Sequence, residues 1–481
     1  MGFTSLTFFL FVPAVLAVFA ALPARWRVGW LGLASLVFYG SFGWVNLAYL
    51  AAVFAVVQIT VLGLARAREG QPRRAVLTAA IVALIGGLAF SKFGDFALAE
   101  LARLTALPLV QTGIASPAGF SFYVFMATAY IIDIARGDVT PRGPLNNLAF
   151  LAWFPKILAG PIERAGPFMP QLAAGLRLRP DLAVLGLQLI LWGLIKKVVI
   201  AESLAPTVDG AFEIAAYAPP MELLISLYFF AFQLYCDFSG YTDIAIGLSL
   251  LFGLTLSENF RRPYLSRSVS GFWADRWHIS LGHWFRDYLY LPLGGSRVGA
   301  LRRHANLLAV FAASGIWHAG LGYGVGWAFL VWGLMNGVYV SLGVMLRPVW
   351  RALGARFPRI AASRVLAVVQ VLVTFHLILV SWAFFRAGSV EQAMLVLRRI
   401  GGALDEIAAI ARSFPYTGMH MLGAGLIVAL IAGEILSERR PIIDRLRNWP
   451  TAPRWAVWYA GLAALVILGR WQETGFIYMA F

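Results

Sequence analysis

Cysteine is all but absent from this chain. One residue in 481, Cys236, excludes an intramolecular disulfide and any thiolate metal cluster. Histidine is scarce as well. The six imidazoles stand at 278, 283, 304, 318, 376 and 420, and no two have the i, i+4 spacing of a helical metal pair, so no metal is expected. A Gly-Lys-Ser/Thr phosphate loop is missing, which argues against an ATP-driven pump. Only 13% of residues are charged, against 60% hydrophobic. No tandem repeat of fixed period is visible.

What fills the chain instead is apolar sequence in long runs. A spanning helix needs about 20 mostly apolar residues. The candidates are 6–22, two spans within 28–65, 75–91, 119–135, about 182–200, 222–254, 305–317, 324–345, 366–385, 419–437 and 455–469. The expected fold is therefore all-α: a polytopic membrane protein of about eleven to twelve transmembrane helices with interfacial or re-entrant helices besides. The soluble-looking stretches are short, so residues 1–481 read as one membrane domain. Its parts are N-terminal helices over 5–135, a core over 145–345 and C-terminal helices over 346–481. The first run has no basic segment before it and many spans after it, unlike a cleavable signal. Abundant Trp, Tyr and Phe supply interfacial belts and a membrane-lipid partner.

A net charge of +16 raises the question of nucleic acid, and the distribution answers against it. The basic residues sit in short segments beside apolar runs: Arg25 and Arg27; Arg66, Arg68, Arg73 and Arg74; Arg136 and Arg142; Arg302 and Arg303; Arg347, Arg351, Arg356 and Arg359; Arg439, Arg440, Arg445 and Arg447. That is the bias of cytoplasmic loops. Glu202–Glu222 carries four acids and no Lys or Arg, and reads as external. Two features resist the alternation: Lys196 and Lys197 near the outer end of a span, and Arg398-Arg399 in a nominally external loop.

Three interruptions carry the chemistry. His318, in Ser314-Gly-Ile-Trp-His-Ala-Gly320, is the one imidazole in an uncharged run from Ala305 to Leu346. An ionisable group at membrane depth is a functional hypothesis by default, and imidazole suits proton exchange near neutrality. A histidine that merely hydrogen-bonds packed helices remains the competing reading. Second, Ser257–His304 holds eight Lys/Arg against three acids, with Phe272, Trp273, Trp277, Leu281, Trp284, Phe285 and Tyr288 recurring at three- and four-residue steps. This predicts an amphipathic helix at the interface between Ser268 and Tyr290, stopped by Leu291-Pro-Leu-Gly-Gly295. It is either a lipid anchor or a vestibule for a phosphate-bearing donor. Third, Tyr235-Cys-Asp-Phe-Ser-Gly-Tyr-Thr-Asp243 lies within a stretch otherwise free of charge. The pairs Asp237/Tyr241 and Ser239/Asp243 are i, i+4 and can meet on one helix face. Tyr235, Asp237, Ser239, Tyr241 and Asp243 are expected to form a structural polar cluster rather than an acid dyad.

That last run resembles the membrane-bound O-acyltransferase family, as do Glu258-Asn-Phe-Arg-Arg-Pro-Tyr264, Phe272-Trp-Ala-Asp-Arg-Trp-His-Ile-Ser-Leu281, Trp284-Phe-Arg-Asp-Tyr-Leu-Tyr-Leu-Pro-Leu-Gly-Gly295 and Trp317-His318. The alginate O-acetyltransferase branch is the nearest in pattern. Supporting pieces are Phe120-Ser-Phe-Tyr123, Tyr130-Ile-Ile-Asp133, Phe154-Pro-Lys-Ile-Leu-Ala-Gly-Pro-Ile162, Leu191-Trp-Gly-Leu-Ile-Lys-Lys197, Trp382-Ala-Phe-Phe-Arg386 and Gly475-Phe-Ile-Tyr478.

The resemblance implies transfer of an acyl group, acetyl from acetyl-CoA or a similar thioester, through a tunnel to an extracytoplasmic hydroxyl of a polysaccharide such as alginate. No permanently bound cofactor is implied. His318 matches the family's catalytic histidine, expected to act as general base, and His278 a second active-site residue, expected, with or in place of a nearby backbone N–H, to stabilise the developing oxyanion. Trp277, Ser280, Arg286, Asp287, Tyr288 and Trp317 become candidates for the acyl-donor path. Two departures stand out: Ala319 where the branch commonly has Gly, and His283 at a site often small or basic. The resemblance also implies a bacterial inner-membrane location and an extracytoplasmic Ser-His-Asp esterase-like (SGNH) protein that relays acetyl to the polymer. His318 lies fifteen residues beyond Arg303, about 22 Å at the helical rise, and so deep in the hydrocarbon layer. Two alternatives stay open: a transporter or flippase with a buried His/Asp path, and an acyltransferase of the teichoic-acid D-alanylation type.

Overall fold

The computed structural model describes residues 1–67, 70–105, 107–108, 113, 116–319, 326–438, 445–446, 448–471 and 476–477. Arg68, Gly320, Arg439, Arg440, Arg447, Gly475 and Tyr478, all used in the sequence argument, lie outside them. Among the described residues every regular element is helical, and the one sheet-like contact is an isolated antiparallel bridge between Phe260 and Trp277. The chain opens with α1 (Leu6–Ala21), α2 (Ala24–Gly40), α3 (Trp44–Arg66), α4 (Gln71–Thr105) and α5 (Phe120–Arg136). Two short helices, α6 (Pro144–Ala152) and α7 (Ala165–Ala173), lead to α8 (Pro180–Leu194), α9 (Glu202–Glu213) and α10 (Pro220–Leu251). Then come α11 (Val269–Asp275), α12 (Ile279–Phe285), α13 (Ala300–His318) and α14 (Trp327–Arg356). The C-terminal part holds α15 (Pro358–Ala361), α16 (Arg364–Arg386), α17 (Val390–Gly402), α18 (Ile407–Ser413), α19 (Gly418–Ser437) and α20 (Thr451–Leu468).

This is an all-α, multi-pass membrane protein. Among the described residues eight helices are long and apolar enough to cross a membrane: α3, α4, the run Pro180–Glu213, α10, α14, α16, α19 and α20. Apolar runs alone gave eleven or twelve. The difference lies in α1, with 16 residues, in α2 and α5, with 17 each, and in α13, whose 19 residues include Arg302, Arg303 and His304 in the first turns and are less apolar. Nor does the acidic stretch after Glu202 begin as a loop. α8 passes through a π-helical turn, Ile195–Ala201, straight into α9. Lys196 and Lys197 lie inside that turn and are buried, so they never marked the end of a span. Arg398 and Arg399 belong to α17, where Arg399 donates to the carbonyl of Ala216.

Helix α10 is the central pillar. In its most apolar window 83% of residues are buried, against 6% for α20 at the periphery. Lipid offers no hydrophobic reward for bringing helices together, so close backbone approach at small residues carries the packing. Two glycine pairs do this between α8 and α10. A methyl group on Gly193 would stand 2.6 Å from the carbonyl oxygen of Gly240, and one on Gly186 2.6 Å from that of Gly247. The same device joins α13 to α14, where a methyl on Gly315 would meet the Phe329 carbonyl at 2.4 Å. That contact fixes the last turn of α13, which carries His318.

The segment from Ser268 to Tyr290 is not one interfacial helix. It is α11, a break at Arg276–His278, α12 and a π-helical turn, Arg286–Tyr290. Periodicity fails here because the backbone reverses at His278, whose φ of 45° and ψ of 53° are left-handed. The apolar residues that made the stripe are instead packed inward: Phe272, Trp277, Leu281, Trp284 and Phe285 are all buried.

Candidate active site

A left-handed histidine is strained, and such a conformation persists only where its surroundings over-determine it. Here two backbone bonds clamp the break to the preceding segment. The Arg261 N–H donates to the Arg276 carbonyl at 2.9 Å, and the Ile279 N–H to the Asn259 carbonyl at 3.0 Å. The Asn259 side chain completes the clamp. Its Oδ1 accepts from the Ser280 N–H at 3.2 Å and the Ser280 hydroxyl at 2.9 Å, and lies 3.1 Å from His278 Nδ1. Ser280 Oγ in turn accepts from the Ile162 N–H at 3.0 Å. Because a backbone N–H can only donate, the Ser280 amide identifies the Asn259 atom as the carbonyl oxygen. His278 must therefore donate through Nδ1, which leaves Nε2 unprotonated in the neutral ring.

His318 is oriented by the same logic. Its Nδ1 lies 2.7 Å from the carbonyl oxygen of Ser314, one turn earlier on α13, so Nδ1 carries the proton and Nε2 the lone pair. Three aromatic rings hold the imidazole edge-to-face: Trp317 at 4.7 Å, Trp332 at 4.9 Å and Phe385 at 5.5 Å between centroids. His278 packs edge-to-face on Phe238 at 4.7 Å.

Both histidines line one cavity of about 410 Å³. Trp273, Trp277, Leu281, Phe311 and Val340 form apolar walls, and Arg286, Arg303 and Arg347 stand around its basic end. Of the proposed donor-path residues, Trp277 and Arg286 line this cavity, and His283 does too. The other four do not. Ser280 is turned behind His278 to Asn259. Trp317 packs between Phe122 and Phe125, at 5.6 and 5.5 Å. Asp287 and Tyr288 lie behind Arg286, which reaches Asp287 at 2.7 Å; Arg164 also reaches Asp287, at 3.1 Å, and the Tyr288 hydroxyl donates to Asp133 at 2.6 Å.

The polar cluster on α10 is also apart from the cavity, and its partners are not those expected. Lys197 Nζ lies 2.6 Å from both Asp237 and Glu202, while Asp237 also accepts from the Ile477 N–H at 2.7 Å. Lys196 pairs with Asp243 and reaches Ser239 Oγ at 3.0 Å. Tyr241 donates to the Pro155 carbonyl at 3.1 Å, and Tyr235 to Glu434. The i, i+4 pairs within α10 do not form, because two lysines from the π-helical turn take the carboxylates.

Sequence reasoning missed Asn259, although it quoted the motif containing it. It also counted Arg303 and Arg347 only as topological markers. Lys92 escaped notice too: it sits at the end of an apolar run on α4 and donates to the Trp317 carbonyl. Among the described residues no group of three or more His, Cys, Asp or Glu could hold a metal.

The described helices thus form a multi-pass membrane body in which two imidazoles, one on α13 and one at the turn before α12, face a single cavity. Residues 119–387 match the profile of MBOAT, the membrane-bound O-acyltransferase family, and the chain belongs to that family. The chain is 37% identical over 405 residues to the probable alginate O-acetylase AlgI of Azotobacter vinelandii, covering 82% of this chain and 76% of the relative. It is 35% identical over 403 residues to the protein of the same name from Pseudomonas aeruginosa, covering 82% and 73%. To the peptidoglycan O-acetyltransferase of Helicobacter pylori it is 32% identical over 435 residues, covering 83% and 79%.

Proposed function

We propose that this acyltransferase moves an acetyl group from acetyl-CoA, bound on the cytoplasmic side of a bacterial inner membrane, to a hydroxyl on the far side, in the O-acetylation of an alginate-like exopolysaccharide. The observation that carries this reading is the shared cavity, with imidazoles inside and arginines at the end where basic residues cluster. Guanidinium forks suit the phosphates of a nucleotide thioester. The apolar walls suit its pantetheine arm.

His318 Nε2 takes the proton of the acceptor hydroxyl as its oxygen attacks the thioester carbonyl carbon. The tetrahedral intermediate collapses, the C–S bond breaks, and the proton on Nε2 passes to the departing thiolate. General-base assistance of this kind contributes roughly 10²–10⁴-fold. His278 takes a different part from the oxyanion donor first expected. With Nδ1 committed to Asn259, its neutral ring has no second N–H to offer; the hydroxyl's one proton goes to His318, so His278 Nε2 accepts from another donor, an amide N–H of the pantetheine arm, and orients the thioester. The polymer itself is too bulky for a 410 Å³ cavity. Final transfer therefore falls to an extracytoplasmic esterase-like relay protein. The relative named for peptidoglycan favours a second reading of the acceptor as a cell-wall glycan, with the same chemistry.

Liposomes containing the purified protein and labelled acetyl-CoA test the reading. The wild type should release CoA in the presence of a hydroxyl acceptor, and His318→Ala should lose roughly 10²–10⁴-fold in rate with its thermal unfolding unchanged. Near-normal turnover in His318→Ala would overturn the catalytic assignment. Efficient labelling of polymer without a second protein would overturn the relay.

A further inference from the structure

A second cavity, of about 1110 Å³, lies on the other side of α11 from the catalytic one. Its long walls come from α10, α16 and α19, with Val368, Leu372, Phe375, Ile431 and Ile435 facing in. Val368, Leu372 and Ile435 are more than half exposed, so the groove opens sideways along membrane-spanning helices. Arg267, Arg276 and Arg445 line it together with Glu438. Glu438 is already shared, lying 2.9 Å from Arg262 and ion-paired to Arg276. Burial pushes the Glu438 carboxyl up, but these two guanidinium groups outweigh it and hold the group below its ordinary value, as a carboxylate. One carboxylate thus serves two arginines, and Arg267 and Arg445 add two further positive charges at the same rim.

Farther along, the groove's polar side chains satisfy one another. Tyr228 donates to His376 Nε2 at 2.7 Å, and His376 Nδ1 donates to the Leu372 carbonyl at 2.7 Å. Glu434 is buried against the Tyr235 hydroxyl. The remaining floor is one that hydrocarbon tolerates.

We propose that this groove is a binding site for one anionic phospholipid of the cytoplasmic leaflet, its phosphate held by Arg267 and Arg445 and its acyl chains lying along α16 and α19. Basic pockets between spanning helices on the cytoplasmic side suit such headgroups, because that leaflet is negatively charged and each arginine adds to the attraction. Arg276 lines the groove while its neighbours Trp277 and His278 line the catalytic cavity, so the lipid would rest against the outer side of the strained turn.

Binding is measured without turnover, so its outcome is independent of the acyl-transfer reading. Delipidated protein in a neutral detergent is titrated with fluorescent phosphatidylglycerol, with phosphatidylcholine and inorganic phosphate as competitors. Phosphatidylglycerol should bind saturably, phosphatidylcholine should compete poorly, and inorganic phosphate should not compete at the same concentration. R267Q/R445Q should weaken binding roughly tenfold to thirtyfold. Leu372→Trp, which fills the groove without touching the rim, should weaken it as well, and thermal unfolding confirms that both variants fold. Equal affinity for the two lipids, or unchanged affinity in R267Q/R445Q, overturns the proposal. Full competition by inorganic phosphate would assign the rim to a soluble anion instead. Loss of a co-purifying membrane protein with lipid binding unchanged would assign the groove to a partner helix.

Discussion

The Nδ1 atom of His278 lies 3.1 Å from Oδ1 of Asn259, an oxygen that also receives both donors of Ser280. One amide thus sets the tautomer of the imidazole and closes the turn that holds it. Asn259 is a positioning residue. Asn259→Ala should lower kcat at least tenfold while leaving the KM for acetyl-CoA within about twofold, since Asn259 does not itself line the cavity. Asn259→Asp should behave differently. A carboxylate beside Nδ1 favours the doubly protonated ring, so a reaction that needs Nε2 unprotonated will have its acid limb moved to higher pH. A pH–rate profile unaltered in shape would mean that Asn259 serves the fold alone.

Substitution at His278 separates orientation from proton transfer. An amide can still accept a hydrogen bond, so His278→Gln and His278→Asn should retain more activity than His278→Ala. The comparison requires single-turnover rates, with acetyl-CoA saturating. Complete and equal loss in all three would assign His278 to moving a proton.

The lysines of the π-helical turn give a stability prediction. Lys197, Asp237 and Glu202 have side chains 3%, 2% and 7% exposed, so removing the cation leaves two carboxylates together in a low-dielectric site. Lys197→Met should destabilise the protein by about 3–5 kcal/mol, the usual cost of an uncompensated buried charge. The triple variant K197M/D237N/E202Q should recover most of that loss, because the remaining groups are neutral. Thermal unfolding in detergent, followed by intrinsic Trp fluorescence, distinguishes the two. If K197M alone unfolds like wild type, the cluster does not hold α8 to α10.

Much of this was legible in the chain itself. Apolar runs mark the helices, and a lone imidazole in an uncharged run marks His318. Pairings between distant segments were not. Nothing local to Lys196 and Lys197 announces that Asp243 and Asp237, at least 40 residues further along the chain on α10, will face them, so they read as misplaced loop charges. The stripe from Ser268 to Tyr290 has helical spacing and yet folds as separate turns, because the register is broken by backbone bonds to Asn259 and Arg261. Periodicity reports which residues are buried together, and a reversal between two such faces leaves it intact. The same blindness hid Asn259, whose neighbour in space is nineteen positions away.

Arg303 and Arg347 read in the sequence as markers of a cytoplasmic loop, and the structure sets both in the lining of the cavity that holds His278 and His318. If they grip the nucleotide end of the donor, their contacts are the same in the ground state and the transition state. Losing such uniform binding raises KM and spares kcat. R303Q/R347Q should raise the KM for acetyl-CoA roughly tenfold, with kcat changed by less than about threefold. The wild-type KM should also climb with ionic strength more steeply than that of the double variant, since exposed phosphate contacts are screened. A short-chain acetyl thioester without phosphates serves as the control, and both enzymes should turn it over equally. A double variant that loses kcat on both donors would show that these arginines shape the cavity rather than hold the phosphates.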